Sequence, residues 1–231
     1  MKTSLYTIII SITFLLIGTN VMSQNPANTG NLQDGFKIMR ENVKGTPFLT
    51  SNWIEGYGIY SSGTKTEVLQ LNYDLYGDKL VFKNSAGDVL EMLDEDLVGF
   101  ILADEEENYI FIKIPQENLV DQKKPRKYFH LVDAPNKYVV VQYDKELDDP
   151  NKSGWTSSTS NTLSAEYKLN SKIFVLNPQD NYVELKPKNK ALSKAFANDS
   201  KMESYLKQHK IEDLNDLVLA MRSYYSDSIN N

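Results

Sequence analysis

Short apolar segments recur about every ten residues through the middle of this chain, each ended by a cluster of turn-forming residues, and that rhythm leaves few folds open. From Val68 to Tyr73 the residues alternate, with Leu69, Leu71 and Tyr73 facing one way and Gln70 and Asn72 the other, the period of two that marks a half-buried strand. Tyr76-Gly77-Asp78 reads as a turn before Leu80-Val81-Phe82, and Asn84-Ser85-Ala86-Gly87-Asp88 as a turn before Val89 to Leu93. Phe100-Ile101-Leu102 and Tyr109 to Ile114 enclose Asp104-Glu105-Glu106-Glu107-Asn108, a hairpin with an acidic tip. Tyr128 to Val132 and Tyr138 to Val141 flank Ala134-Pro135-Asn136, and Ile173 to Leu176 and Tyr182 to Leu185 flank a second turn cluster, Asn177 to Asn181. Hairpins in succession predict an antiparallel meander that closes as a barrel, a rolled sheet or a sandwich. One long connection, Asp148 to Ala165, rich in Ser, Thr, Asn and Asp around Trp155, interrupts it.

After Lys190 the apolar period becomes helical. Leu192, Ala195 and Phe196 share a face, and Asn198-Asp199-Ser200 offers an N-cap for a helix through Met202, Tyr205 and Leu206. Glu212 or Asp213 can cap a last helix whose stripe is Leu214, Leu217, Val218, Met221 and Tyr225. The predicted fold class is mainly β, an antiparallel meander that is rolled or barrel-like, with two or three short C-terminal helices docked on the sheet. In residue terms, 24–44 is a flexible lead-in, 45–190 the β domain and 191–231 the helices.

The chain holds no cysteine, so neither a disulfide nor a lipid-bearing cysteine is available and a hydrophobic core must carry stability. At 231 residues it is long enough to bury one. Met1 and Lys2 form a short positive start, the run from Leu5 to Ile17 is apolar or small, and Val21-Met22-Ser23 places small residues before Gln24. This layout predicts a signal peptide over 1–23, cut between Ser23 and Gln24, and hence a periplasmic or extracellular protein. The apolar run falls short of the roughly 20 residues that span a bilayer, and no second run comes closer, so no integral membrane segment is expected after cleavage.

A formal net charge of −6 gives the chain no general pull toward nucleic acid. Local charge departs from that mean: Lys186, Lys188, Lys190, Lys194, Lys201, Lys207 and Lys210 make the helical region basic, and Lys123-Lys124-Pro125-Arg126-Lys127 forms a second cluster suited to anionic lipid or a cell-surface polymer. Tyrosine is abundant, 14 residues against two tryptophans, which half-buried sheet faces explain and which a carbohydrate or peptide platform would also use.

Catalytic patterns are few. His130 sits between Phe129 and Leu131 in a strand and His209 near a helix end, without ligand-like companions, so His130 reads as a packed or edge-strand histidine. His-Glu-x-x-His, Gly-x-Ser-x-Gly and phosphate-loop patterns are missing, and Gly56 and Gly58 follow no strand-then-helix pattern. Paired carboxylates could run acid–base chemistry, but Asp94-Glu95-Asp96 and Asp104 to Glu107 fall where turns are expected. The best metal-like spacing is Asp144, Glu146, Asp148, Asp149 and Asn151, whose oxygens suit calcium; the loop has neither the glycine nor the closing glutamate of an EF-hand. No cofactor is expected.

Gly45-Thr46-Pro47-Phe48-Leu49, Trp53, Gly56, Asn72-Tyr73-Asp74, Leu80-Val81-Phe82, Gly87, Phe100 and the closing pair Tyr224-Tyr225 resemble a widespread set of exported Bacteroidota proteins. The resemblance covers the chain after the signal segment, with the loop after Asp148 as a departure, and it implies export and fold but no catalytic residue. Structural roles account for these positions: Gly45, Gly77 and Gly87 suit turns with positive φ, and Trp53, Phe82 and Phe100 look like core. The expected function is that of a non-enzymatic envelope or secreted protein, an interaction or structural module that contacts an envelope protein or a cell-surface polymer. Two alternatives stand beside it. One is a small-ligand carrier with a barrel-like cavity, of lipocalin outline but with Ser51-Asn52 before Trp53 in place of the Gly-x-Trp start. The other is a hydrolase using paired carboxylates. A filled or an empty sheet interior separates module from carrier.

Overall fold

The structure is a computed structural model that describes residues 43–93, 95–104, 108–120, 125–149 and 164–226. Eleven strands form one open sheet: β1 (Val43–Lys44), β2 (Ile54–Tyr60), β3 (Leu69–Asp74), β4 (Lys79–Lys83), β5 (Val89–Glu91), β6 (Leu97–Ala103), β7 (Asn108–Lys113), β8 (Tyr128–Leu131), β9 (Val139–Asp148), β10 (Ala165–Leu176) and β11 (Tyr182–Leu185). Three helices follow, α1 (Asn189–Ala195), α2 (Ser200–Leu206) and α3 (Leu214–Ser226). The mainly β class with short C-terminal helices is therefore the one the alternation predicted.

The order across the sheet is β1-β10-β9-β8-β7-β6-β2-β3-β4-β5, with β11 also on β10. Two meanders, β2–β5 and β6–β10, are joined where β2 lies against β6. All pairings are antiparallel except β1 on β10, where Val43 and Lys44 run parallel beside Ala165 and Glu166. The end of the expected lead-in is thus a strand. Returning from β5 to β6, the chain lays Met92 and Leu97 over Gly58. A Cβ there would sit 2.6 Å from a Leu97 methyl and 3.3 Å from the Met92 sulfur, so any side chain at that point would have to displace the buried Leu97.

The sheet is rolled. The backbone N–H of Lys145 in β9 donates to Leu75 O beside β3 at 3.3 Å, and Lys145 Nζ donates to Thr46 O at 2.9 Å and to Phe48 O. Five strand spacings of about 4.8 Å separate β9 from β3 in a flat sheet, so only curling brings these groups together. Inside the roll lie Tyr73, Phe100, Phe111 and Tyr128, all fully buried, with Leu71, Leu80, Leu97 and Leu102 around them. On the opposite face of β8–β11, Phe129, Val140 and Phe174 pack beneath the segment carrying Ile114 and Leu119, and Leu119 bridges Tyr182.

The helices cover the far end of the inward face. Alternation along β9 puts Val139, Val141 and Tyr143 on one side and Val140, Gln142 and Asp144 on the other. Val139, Val175 and Leu185 then receive Leu192, Phe196, Met202, Leu217 and Met221. Asp199 caps α2, its carboxylate accepting the N–H groups of Lys201 at 2.9 Å and Met202 at 3.1 Å. Asp213 Oδ1 accepts Asp216 N at 2.9 Å at the start of α3. Tyr225 stacks on Tyr138 with ring centroids 4.4 Å apart and donates its hydroxyl to Leu176 O at 2.9 Å. Arg222 grips the buried Asp133 in the β8–β9 turn through Nε at 2.9–3.0 Å and through Nη2.

Two more details differ from the sequence reading. β9 and β10 run well beyond Val141 and start well before Ile173, as a polar two-stranded ladder pairing Asp148 with Glu166. At the β3–β4 turn the left-handed residue is Asp78 (φ 58°), not Gly77. Gly77 is required for another reason: a Cβ would lie 2.7 Å from the Asp74 carboxylate, which accepts the N–H groups of Tyr76 and Gly77.

Candidate functional site

A broad, half-open concavity lies where the chain enters β2. Thr50, Ser51, Asn52, Trp53 and Glu55 line it with Gln70 of β3 and with Ala103 and Asp104 at the end of β6, enclosing about 790 Å3. The segment Gly45 to Leu49 reaches it by strapping along β3, through Leu75 N to Pro47 O at 2.9 Å and Leu49 N to Tyr73 O at 2.8 Å.

Asn72 holds the loop in shape. It is fully buried, and its amide nitrogen donates to Thr50 O and Asn52 O, both at 3.0 Å, while its Oδ1 accepts Tyr73 N at 2.9 Å and Thr50 N at 3.4 Å. A buried amide with all its groups engaged is a rigid clamp. Thr50 Oγ1 adds a hydrogen bond to Asn52 O at 2.8 Å. Trp53 is half-buried rather than core: its ring leans on Phe48 at 5.6 Å, and the Lys83 ammonium lies over it at 5.0 Å, a cation–π contact. The surface therefore presents hydroxyls, amides, one flanking indole and two exposed carboxylates, Glu55 and Asp104, which suits hydrogen bonding to a polar ligand. No histidine lines it.

His130 lies elsewhere, on the inward face of β8, 4% exposed, against the rings of Tyr109 at 5.6 Å, Phe111 at 5.3 Å and Tyr143 at 5.9 Å. Burial lowers its pKa to about 4, so it is neutral at pH 7, and its Nδ1 has no hydrogen-bond partner among the described residues. It is the packed histidine that the sequence suggested. His209 stacks on Tyr205 at 4.1 Å on the exposed side of α2.

The calcium candidates do not converge. Asp144, Glu146 and Asp148 occupy alternate positions of β9, not a loop. Two residues of strand advance about 6.6 Å, so Asp144 and Asp148 stand roughly 13 Å apart along the chain, whereas ligands of one calcium ion lie within about 5 Å of each other. Asp148 instead pairs with Lys168, and Asp144 accepts a hydrogen bond from Asn170 at 3.3 Å. Asp149 follows the strand, and Asn151 lies outside the described residues, as do Ser23 and Gln24, Asp94, Glu105 to Glu107 and Lys123-Lys124. Among the described residues no three His, Cys, Asp or Glu side chains gather as a metal site.

Buried carboxylates are tied to structural donors. Burial raises the pKa of Asp74, against the pull of the Gly77 and Tyr76 N–H groups. The Arg222 hydrogen bond holds Asp133 below the usual carboxylate range. Asp78 accepts the Tyr73 hydroxyl at 2.5 Å and Lys127 N at 3.0 Å, and burial, with the Asp78 charge, raises the Tyr73 pKa well above its ordinary value. Sequence reasoning saw Asn72 and Asp78 only as a strand end and a turn. Neither carries a full local signal for its role, because Asn72 is engaged by Thr50 and Asn52, twenty or more residues away, and Asp78 by Lys127 as well as by the nearby Tyr73.

The described helices include none long and apolar enough to cross a membrane. Comparison of the chain with protein-family models, with curated proteins and with solved structures finds no match.

Proposed function

We propose that this chain is an exported, non-enzymatic envelope or secreted protein that serves as an interaction or structural module, with its contacts made on the outside of the roll and the Trp53 groove as a primary surface. The observation that carries this reading is the filled interior. Tyr73, Phe100, Phe111 and Tyr128 occupy it ring against ring, with centroid separations of 4.7–5.8 Å and no solvent exposure. A carrier of small apolar ligands needs about 300 Å3 or more in that place. The hydrolase alternative finds less support: Asp74 and Asp133 spend their oxygens on backbone N–H groups and on Arg222, and the two carboxylates that line the Trp53 groove, Glu55 and Asp104, both stand exposed to water. Export rests on the layout of residues 1–23, and the kinship with exported Bacteroidota proteins on the motifs from Gly45 to Phe100.

Native mass spectrometry of the protein recovered from the periplasm or medium of a bacterial host tests the reading. The expected species begins at Gln24 and carries no amphiphile. A species retaining residues 1–23 contradicts export, and a bound apolar molecule released on denaturation returns the carrier.

A further inference from the structure

Positions 186–210 carry seven lysines against two acids, Asp199 and Glu203, in a chain of net charge −6. The fold gathers much of this run into one surface. Asn189, at the start of α1, donates from Nδ2 to Leu206 O at 3.1 Å and to His209 O at 3.0 Å, and its Oδ1 accepts Ile211 N at 2.8 Å. That single amide sets Lys188 beside Lys210, and Lys190 beside Lys207.

Three shallow grooves of about 440, 470 and 250 Å3 run end to end here, the first and second sharing Pro187 and the second and third sharing Asn189. Lys186, Lys188, Lys190 and Lys207 stand exposed along them, and among the described residues no carboxylate pairs with any of the four. Two acids on the path are offset by other lysines, Glu184 by Lys172 at 3.5 Å and Glu212 by Lys210, while Glu203 accepts the Ser193 hydroxyl and leaves Lys190 and Lys207 in excess in the third groove.

We infer that this lysine-lined path binds a linear acidic polysaccharide, its carboxylates seated successively on Lys186, Lys188, Lys190 and Lys207. Exposed cations in excess along a row of adjoining shallow grooves complement a thread with one negative charge per sugar. A bilayer fits less well, because none of the exposed large apolar residues lines these grooves to insert among lipid chains. Single-stranded nucleic acid fits less well too, because no aromatic ring lines them as a stacking platform. The inference rests on the reading of the chain as an exported module only in that such polymers lie outside the cytoplasm; binding is read on purified protein, independently of export and of the Trp53 groove.

Polygalacturonate is titrated into the purified protein at low and at raised salt. Wild type binds saturably, and salt weakens it. Combining Lys186→Gln, Lys188→Gln, Lys190→Gln and Lys207→Gln, all at exposed sites, weakens binding at least about tenfold and flattens the salt dependence. The same charge change made as Lys44→Gln, Lys65→Gln, Lys137→Gln and Lys168→Gln shifts it less than about twofold. Asn189→Ala keeps every lysine and still weakens binding, because Lys207 and Lys210 lose their fixed place beside α1. Absence of binding at low salt, equal loss in the two lysine sets, or tighter binding to phosphatidylglycerol vesicles or single-stranded DNA than to polygalacturonate overturns the assignment.

Discussion

The Tyr73 and Tyr128 rings meet edge to face with centroids 5.8 Å apart, although β2, β6 and β7 lie between their strands in the sheet. Laid flat, strands four spacings apart would hold these rings about 19 Å from each other. The contact therefore measures how far the sheet curls, and the space gained by curling is taken by Phe100 and Phe111. The curled sheet encloses a core and not a cup.

The helices belong to that core. Leu217 is fully buried between α3 and the sheet, so Leu217→Asp places an unpaired carboxylate there and should cost on the order of 3 kcal/mol or more. Urea denaturation followed by circular dichroism gives the number. A variant as stable as wild type would mean that α3 docks on another chain.

Asn72 governs the Trp53 groove. Asn72→Ala removes its hydrogen bonds to Thr50 and Asn52 and leaves buried backbone groups unpaired, at about 1–3 kcal/mol. Native-state amide exchange should quicken at Thr50 and Tyr73, whose N–H groups Asn72 accepts, before it does so in β9 or β10. Uniform quickening over the whole sheet would show that Asn72 supports global stability and not the loop.

Acid acts through His130. Its folded pKa of about 4 lies below the ordinary 6.5, so the unfolded chain takes up the proton first. Stability contributed by the neutral ring is complete above pH 6.5 and falls as pH drops from 6.5 to 4, by on the order of 3 kcal/mol at the lower end. Asp133, held low by Arg222, loses its contribution only at more acid pH. The difference in unfolding free energy between wild type and His130→Phe should therefore slope across that window. A flat difference would place the ring in water.

Calcium and chelator should leave the melting temperature unchanged, because Asp144, Glu146 and Asp148 are strung along a strand and two of them are bonded to Lys168 and Asn170. Differential scanning calorimetry with calcium and with EDTA measures this. A rise of many degrees with calcium would require these carboxylates to leave the ladder.

The β-hairpins and the helical tail were legible because each rests on a local period. Leu69, Leu71 and Tyr73 alternate, and Leu217, Val218 and Met221 fall on one helical stripe; all but the half-buried Leu69 end in the core. The outer halves of β9 and β10 were not legible. Residues 142–148 and 165–172 are mostly polar, half-buried in the first segment and exposed in the second, and backbone pairing between two neighbouring strands leaves no apolar signature. The join of β2 to β6 and the parallel pairing of Val43 were hidden for a different reason: they are choices among distant partners, which turn residues do not encode. The lysine run was visible as charge, but only the three hydrogen bonds of Asn189 bring its two ends together.

Titration of the native protein with a fluorescent fatty acid, beside Phe100→Ala, shows whether the roll is filled. Wild type should show no saturable uptake. Phe100→Ala, which removes a fully buried ring at the centre of the cluster, should lose about 3–5 kcal/mol of stability and admit a small apolar probe such as benzene into the space left. Saturable one-to-one uptake by the wild type, blocked by Phe100→Trp, would mean that the interior opens to ligands and that the chain is a carrier.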